Sequence, residues 1–324
     1  MTQTTNAQSV GKRPVRERVG LVITPNNAGQ VVQDIIAAED AGVQQIWMTQ
    51  GTPAPDTLTI FAAAAARTSS IRLGTAVVPI YPRHPLALAQ QALSISDIAP
   101  GRLRLGIGPS HRPVIEGVYG LAMGSPMTYQ REYVEVLRDA LWKGNVDQHG
   151  QYFNVVTKFP RTPQVPILIS ALRQKAFHLA GEIADGAISW LCPVPYLLNT
   201  ALPALREGAA SIHRPAPPLV AHVLVALHDN RQKGLAAARQ SLQRYAQLPF
   251  YANMFADAGF PVASDGSISD KLVDSLVISG DETAVTARLR ELLNAGLDEV
   301  LALQIPVEDA TGEQKRLMQL IGQH

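Results

Sequence analysis

A single cysteine, Cys192, in a chain of 324 residues excludes an intrachain disulfide framework. Charge is sparse and balanced: charged residues make up 17%, with 28 Lys and Arg against 27 Asp and Glu and a formal net charge of +1. No bulk positive field exists to gather nucleic acid or an anionic membrane surface, so any anion must be held locally. No window approaches the roughly 18 uninterrupted apolar residues of a membrane span, and even the alanine-rich run Leu58–Ala66 stops at Arg67. The stretch Met1–Val19 is polar and basic and lacks the apolar segment of a secretory signal, so a cytoplasmic location is expected. A P-loop, an H-x-x-x-H zinc pair and a G-x-S-x-G elbow are all missing. The histidines, at 84, 111, 149, 178, 213, 222, 228 and 324, have no metal spacing, and no metal is expected. What is present is 46% apolar residues with 24 Gly and 23 Pro, enough to bury a large core in a globular protein.

The first 17 residues carry almost no periodic apolar signal and read as a flexible arm, leaving 18–324 as a single domain. Short apolar runs then alternate with segments of helical spacing. The runs are Val19–Ile23, Gln45–Met48, Ile71–Val78, Arg102–Ile107, Pro166–Ser170, Gly186–Trp190, His222–Leu227 and Val300–Ile305. Strands that are apolar throughout belong to a parallel sheet covered by helices, and eight such units in this length predict a closed (β/α)8 TIM barrel with insertions. An open doubly wound sheet is the second choice. Two segments interrupt the repeat: the long loop Gly108–Met127, and an insertion over about 245–272 that acts as a lid or as padding.

In such a barrel, chemistry sits where strands end and loops begin. Strand four ends Gly106-Ile107-Gly108-Pro109-Ser110-His111, where bare amides, a hydroxyl and an imidazole suit a phosphate or a flavin edge. It is not the dinucleotide fingerprint, and glycines that merely relieve barrel crowding are the competing reading. Strand five runs Ser170-Ala171-Leu172-Arg173-Gln174-Lys175 straight into a helix. Cations at a helix start oppose the macrodipole, which favours a bound anion there over a solvated first turn. Strand three ends Gly74-Thr75-Ala76-Val77, small enough for a planar ring to lie against backbone. Strand two ends with Trp47, Thr49 and Gln50, of which Trp47 suits the core as well as a ligand. His84 reads as a helix cap, and His178 and His222 as packing or capping residues. A barrel with an anion-binding mouth and little acid or base equipment suits a cofactor that carries the chemistry.

Several segments together resemble the luciferase-like flavin and deazaflavin oxidoreductases, especially the branch that uses coenzyme F420. They are Ile71–Val77, His84–Gln91, Gly101–Gly108, Arg131-Glu132-Tyr133, Leu179–Gly186 and Ser279-Gly280-Asp281, in family order across most of the chain. The resemblance implies a luciferase-like barrel, often a homodimer, that binds an isoalloxazine-type ring at its C-terminal mouth. It also implies a non-prolyl cis peptide at Ala76–Val77 in a bulge that backs the ring, so that Gly74, Thr75, Ala76 and Val77 join the cofactor site. Gly108, Pro109, Ser110 and His111 match the family's strand-four cofactor loop, and Ser170, Ala171, Leu172, Arg173 and Gln174 its phosphate loop. Many deazaflavin members have Gly-Pro where this chain has Arg173-Gln174, which shifts phosphate binding towards the guanidinium. Gln50-Gly51 replaces the Asp-His of the sugar-phosphate dehydrogenase branch and His111 replaces its acid, which argues against glucose-6-phosphate oxidation. The expected function is F420-dependent hydride transfer with a small organic substrate, an alcohol/carbonyl or imine/alkene. His111 is the candidate proton donor or acceptor, and Trp47, Thr49, Gln50, Trp190 and Gln304 shape the substrate pocket. The alternatives are an FMN-dependent monooxygenase on the same barrel and a non-catalytic cofactor-binding paralogue.

Overall fold

The structure, a computed structural model, describes residues 13–323. Twelve strands are formed among them: β1 Val19–Val22, β2 Gln45–Met48, β3 Arg72–Thr75, β4 Val78–Pro79, β5 Leu103–Gly108, β6 Asn145–His149, β7 Asn154–Lys158, β8 Ile167–Ala171, β9 Gly186–Ser189, β10 Leu219–Leu227, β11 Val277–Gly280 and β12 Glu299–Gln304. Eight of these close a parallel barrel in the order β1, β2, β3, β5, β8, β9, β10, β12 and back to β1. The open sheet is thereby excluded, because β10 pairs with β9 on one side and β12 on the other. Each barrel strand is buried on both faces, inside against the opposite strands and outside against helices, which is why most of its residues are apolar.

Helices Ala28–Asp40, Thr57–Ala65, Pro85–Ile98 and Glu282–Asn294 start at side chains that accept a first-turn N–H: Asn27, Asp56, His84 and Asp281. His84 is thus the cap its sequence context predicts. The third predicted strand is broken in two: β3 ends at Thr75, and β4 resumes at Val78 against the end of β5. Two features lack any apolar run long enough to announce them. Asn145–His149 and Asn154–Lys158 form an antiparallel hairpin outside the barrel, and β11 extends the sheet beside the far end of β10.

Part of the segment expected as an arm, 13–17, lies among the described residues. Val15–Arg18 is a helical turn, and the buried Arg18 guanidinium donates to the Leu297 and Asp298 carbonyls, while residues 1–12 lie outside the described residues. Arg13 and Arg104 reach Glu299 at 3.1 and 2.6 Å, and Gln45 accepts from the Trp47 indole at 3.0 Å. Guanidinium and amide groups therefore fill the N-terminal end of the barrel, leaving its C-terminal end as the open one. The insertion is mostly helical, with Arg231–Ala246, Pro249–Asp257 and Asp270–Leu276 leaving 247–248 and 258–269 irregular. Among the described residues no helix is long and apolar enough to cross a membrane.

Candidate functional site at the C-terminal mouth

The C-terminal ends of the strands surround a cavity of about 1390 Å³. Ligand pockets commonly span about 300–1,000 Å³, so this one has room for a large cofactor and a second molecule. Val22, Ala76, Leu168, Ile188 and Leu301 pack with Trp47 to make its apolar floor. Above the floor stand Thr49, Ser170, Trp190, His222 and Leu303, each on an inward position of its strand or just past its end.

The peptide between Ala76 and Val77 is cis, as the resemblance implies, and both residues line the cavity. Hydrogen bonds from the end of β2 fasten this segment. Ala76 N–H donates to the Met48 carbonyl at 2.7 Å, Thr49 Oγ1 donates to the Ala76 carbonyl, and Gln50 N–H donates to the Val77 carbonyl at 3.1 Å. The Thr49 hydroxyl is thus committed to backbone. The Gln50 amide is committed as well, since Oε1 accepts from Thr57 N–H at 2.8 Å and Nε2 donates to the Gly51 carbonyl. Both line the cavity and act as braces of its wall. Gln304 also lines it, with Nε2 donating to the Ala310 carbonyl and Glu313.

Trp47 is a correction. Its side chain is fully buried beneath the cavity, with Arg104 stacked on it 4.9 Å from the ring centroid, so the indole supports the floor and does not line the cavity. Gly74 is corrected with it, because a Cβ there would meet the Trp47 ring at 2.3 Å. Thr75 is buried too, and its hydroxyl ties β3 to β5 through the Gly106 carbonyl and N–H. Gly108 lies behind the wall, where a Cβ would strike Ser170 Oγ at 2.3 Å. Barrel crowding, the competing reading of the strand-four glycines, accounts for Gly108, and the same close approach accounts for Gly74. Gln174 is exposed outside the cavity, and its backbone N–H faces the Tyr196 phenol.

Pro109, Ser110, His111, Ser170, Ala171, Leu172 and Arg173 are brought together on the lining. His111 is half-buried and stacks on Phe250 of the insertion at 4.6 Å, with Tyr251 edge-on at 5.8 Å. Burial pushes its pKa below the usual histidine value, so the ring is held neutral. Arg173 leaves the strand-five junction to pair with Asp257 of the insertion at 2.8 Å. Arg112 pairs with Glu116, while Arg244 lies over the Tyr245 ring with no carboxylate partner among the described residues. Three guanidinium groups and, among the described residues, no carboxylate line the cavity; Arg112 and Arg173 are already paired with Glu116 and Asp257, so Arg244 is the cation left to meet an anion there. Cys192 is buried, and burial pushes its thiol up to about 12, so it offers no thiolate.

Some lining residues escape sequence reading. Arg244, Tyr245, Phe250 and Tyr251 arrive from the insertion, and periodicity carries no signal for where an insertion folds back. His222, expected as packing, faces the cavity, and its signal was one polar residue inside an apolar barrel strand. Among the described residues no group of three or more His, Cys, Asp or Glu could hold a metal ion.

Comparison with known proteins agrees with this geometry. The chain is 25% identical to the 5,10-methylenetetrahydromethanopterin reductase of Methanolobus tindarius, over 82% of this chain and 87% of that one. Its fold matches the coenzyme F420-dependent tetrahydromethanopterin reductase of Methanopyrus kandleri with a TM-score of 0.78 at 22% identity, covering 94% of this chain and 97% of the other. It also matches the FMN complex of the oxygenating constituent of 3,6-diketocamphane monooxygenase from Pseudomonas putida, with a TM-score of 0.72 at 17% identity and coverage of 94% and 96%. The pattern of the luciferase-like monooxygenase family matches residues 6–299, nearly the whole barrel, and the chain belongs to that family.

Proposed function

We propose that this member of the family is a coenzyme F420-dependent oxidoreductase that passes a hydride between the deazaflavin and a small, largely neutral organic substrate. The observation that carries the reading is the cavity itself: too large for a small substrate alone, with Arg244 and the ion-paired Arg112 and Arg173 on its lining and no carboxylate among its described lining residues. These residues fit a flat ring with a phosphate-bearing tail. Buried lining residues support the fit, since His222 Nε2 and Gln130 Nε2 have no hydrogen-bond partner among the described residues. When bound, the deazaflavin supplies the hydride acceptor or donor. The chain supplies the rest. Ala76 and Val77, held by Met48, Thr49 and Gln50, back the ring, while the arginines and the first turn of helix Gln174–Ile183 hold the anionic tail. His111, kept neutral by burial, accepts or returns the substrate proton, and Phe250 and Tyr251 shield it from bulk water. The reading treats residues 18–324 as one domain, working as a homodimer in the cytoplasm.

The test is a fluorescence titration of the purified protein with F420 and with FMN, each oxidised and reduced, at fixed ionic strength. Selective binding of F420 at micromolar or lower Kd is expected. Preference for reduced FMN, with oxygen uptake coupled to product, would replace the reading with a flavin monooxygenase. Tight cofactor binding without turnover across a substrate panel would leave a cofactor-binding paralogue.

A further inference from the structure

His222 is the only polar residue of β10, an otherwise apolar strand, and its side chain lines the cavity while only 6% exposed. Nδ1 lies 2.8 Å from the Ser189 carbonyl oxygen of the neighbouring strand β9. A carbonyl oxygen only accepts, so Nδ1 carries the proton and donates it there. Burial holds the ring neutral, pushing its pKa down to about 4 against the opposite pull of that carbonyl. In the neutral ring Nε2 therefore bears a lone pair, and it has no hydrogen-bond partner among the described residues. With Nδ1 tied to the wall, Nε2 is the ring nitrogen left for an occupant of the cavity. Trp190, another lining residue, stands perpendicular to the imidazole at 5.0 Å and screens it from bulk water.

The position of the lone pair within the barrel indicates which occupant it meets. Strands β3 and β10 stand four strands apart in either direction around the closed barrel, so they face one another across it. A ring laid against Ala76 and Val77, just past β3, turns its other face towards β10. The space in front of His222 is thus the space of the second molecule.

We infer that His222 is a specificity-determining residue: its Nε2 accepts a hydrogen bond from an O–H or N–H group of the molecule bound between the ring and β10, so the cavity selects donors such as alcohols over the matching carbonyl compounds. The inference rests on the cofactor reading of the cavity for what occupies the β3 side. A ketone brings only lone pairs to this spot and leaves two acceptors unpaired away from water, whereas a hydroxyl satisfies both partners.

Protein labelled with ¹⁵N-histidine, with and without F420, is titrated with cyclohexanol and 1-phenylethanol and with their ketones, cyclohexanone and acetophenone. The ring-nitrogen resonances of His222 are assigned against His222→Asn. In that variant the Asn amide keeps an N–H for the Ser189 carbonyl and removes Nε2 together with its lone pair, leaving only the shorter Oδ1 as acceptor, and its thermal midpoint reports whether the fold is kept. The alcohols are expected to move the Nε2 resonance and the ketones to leave it. Alcohols should also bind about tenfold more tightly than ketones, a gap that His222→Asn abolishes. An equal response to both classes, a response to neither, or a gap that persists in His222→Asn overturns the inference. Movement of Nε2 by F420 alone assigns the donor to the cofactor ring and overturns the substrate role. Failure of F420 to bind while the alcohol response persists removes the cofactor reading and leaves the acceptor role standing.

Discussion

Two histidines separate by neighbourhood alone. His111 stands at the rim between Phe250 and Tyr251, with no hydrogen bond to either ring nitrogen among the described residues, so its proton is free to exchange with a substrate. His222 is pinned by Ser189 and sealed by Trp190, and it acts as a fixed acceptor. Replacing His111 with alanine is expected to lower kcat by about 100-fold or more, the scale of one general acid or base. Because burial lowers the His111 pKa, the wild-type rate should fall on acidification through a value below 6.5, and this limb should vanish in the variant. Initial rates of F420 reduction by an alcohol of the panel, across pH, measure both. The orientation of Trp47 is likewise set by its immediate neighbours. A tryptophan at the end of a strand sends its ring either up to the mouth or down among the neighbouring strands. Here the bare backbone of Gly74 and Gly20 makes the room below, a vacancy visible only once the strands are paired.

At the scale of elements, each barrel strand was legible because burial on two faces favours apolar residues along most of its length. The hairpin of β6 and β7 obeys no such demand. It lies outside the barrel, with Val156 exposed and polar residues alternating, and its sequence reads as an excursion. The insertion was legible as an interruption, and its destination was not. Helix Pro249–Asp257 brings Phe250 and Tyr251 over His111, and Asp257 to Arg173, through contacts between residues far apart in the chain. If the arginines hold an anionic cofactor tail, Arg173→Gln and Arg244→Gln should each weaken cofactor binding by roughly threefold to tenfold. The loss should shrink at high salt, since both guanidinium groups are exposed. Fluorescence titrations at two ionic strengths decide this, and an unchanged Kd in both variants would remove the arginines from the site.

For the whole molecule, buried neutral histidines tie stability to pH. The pKa of His222 falls to about 4 in the folded state from 6.5 in the unfolded chain, so over that window the unfolded chain binds a proton that the native protein refuses. Stability therefore drops as pH falls from 6.5 to about 4, by about 3 kcal/mol for His222, and levels below. His111 adds a loss of the same sign. Urea unfolding of wild type and His222→Asn between pH 7 and 4 checks this, the variant being expected to lose most of the slope. The sequence by itself determined the barrel, because the demand for apolar strands and capped helices is local and repeats eight times along the chain. It also determined which strand ends would form the mouth, since a parallel barrel has only one such end. The tertiary structure alone decided which way each mouth residue turns, which glycines serve packing, and which distant helix closes over the cavity. Those outcomes depend on the space left by strands adjacent in the barrel and remote in the chain, and no local pattern encodes that space.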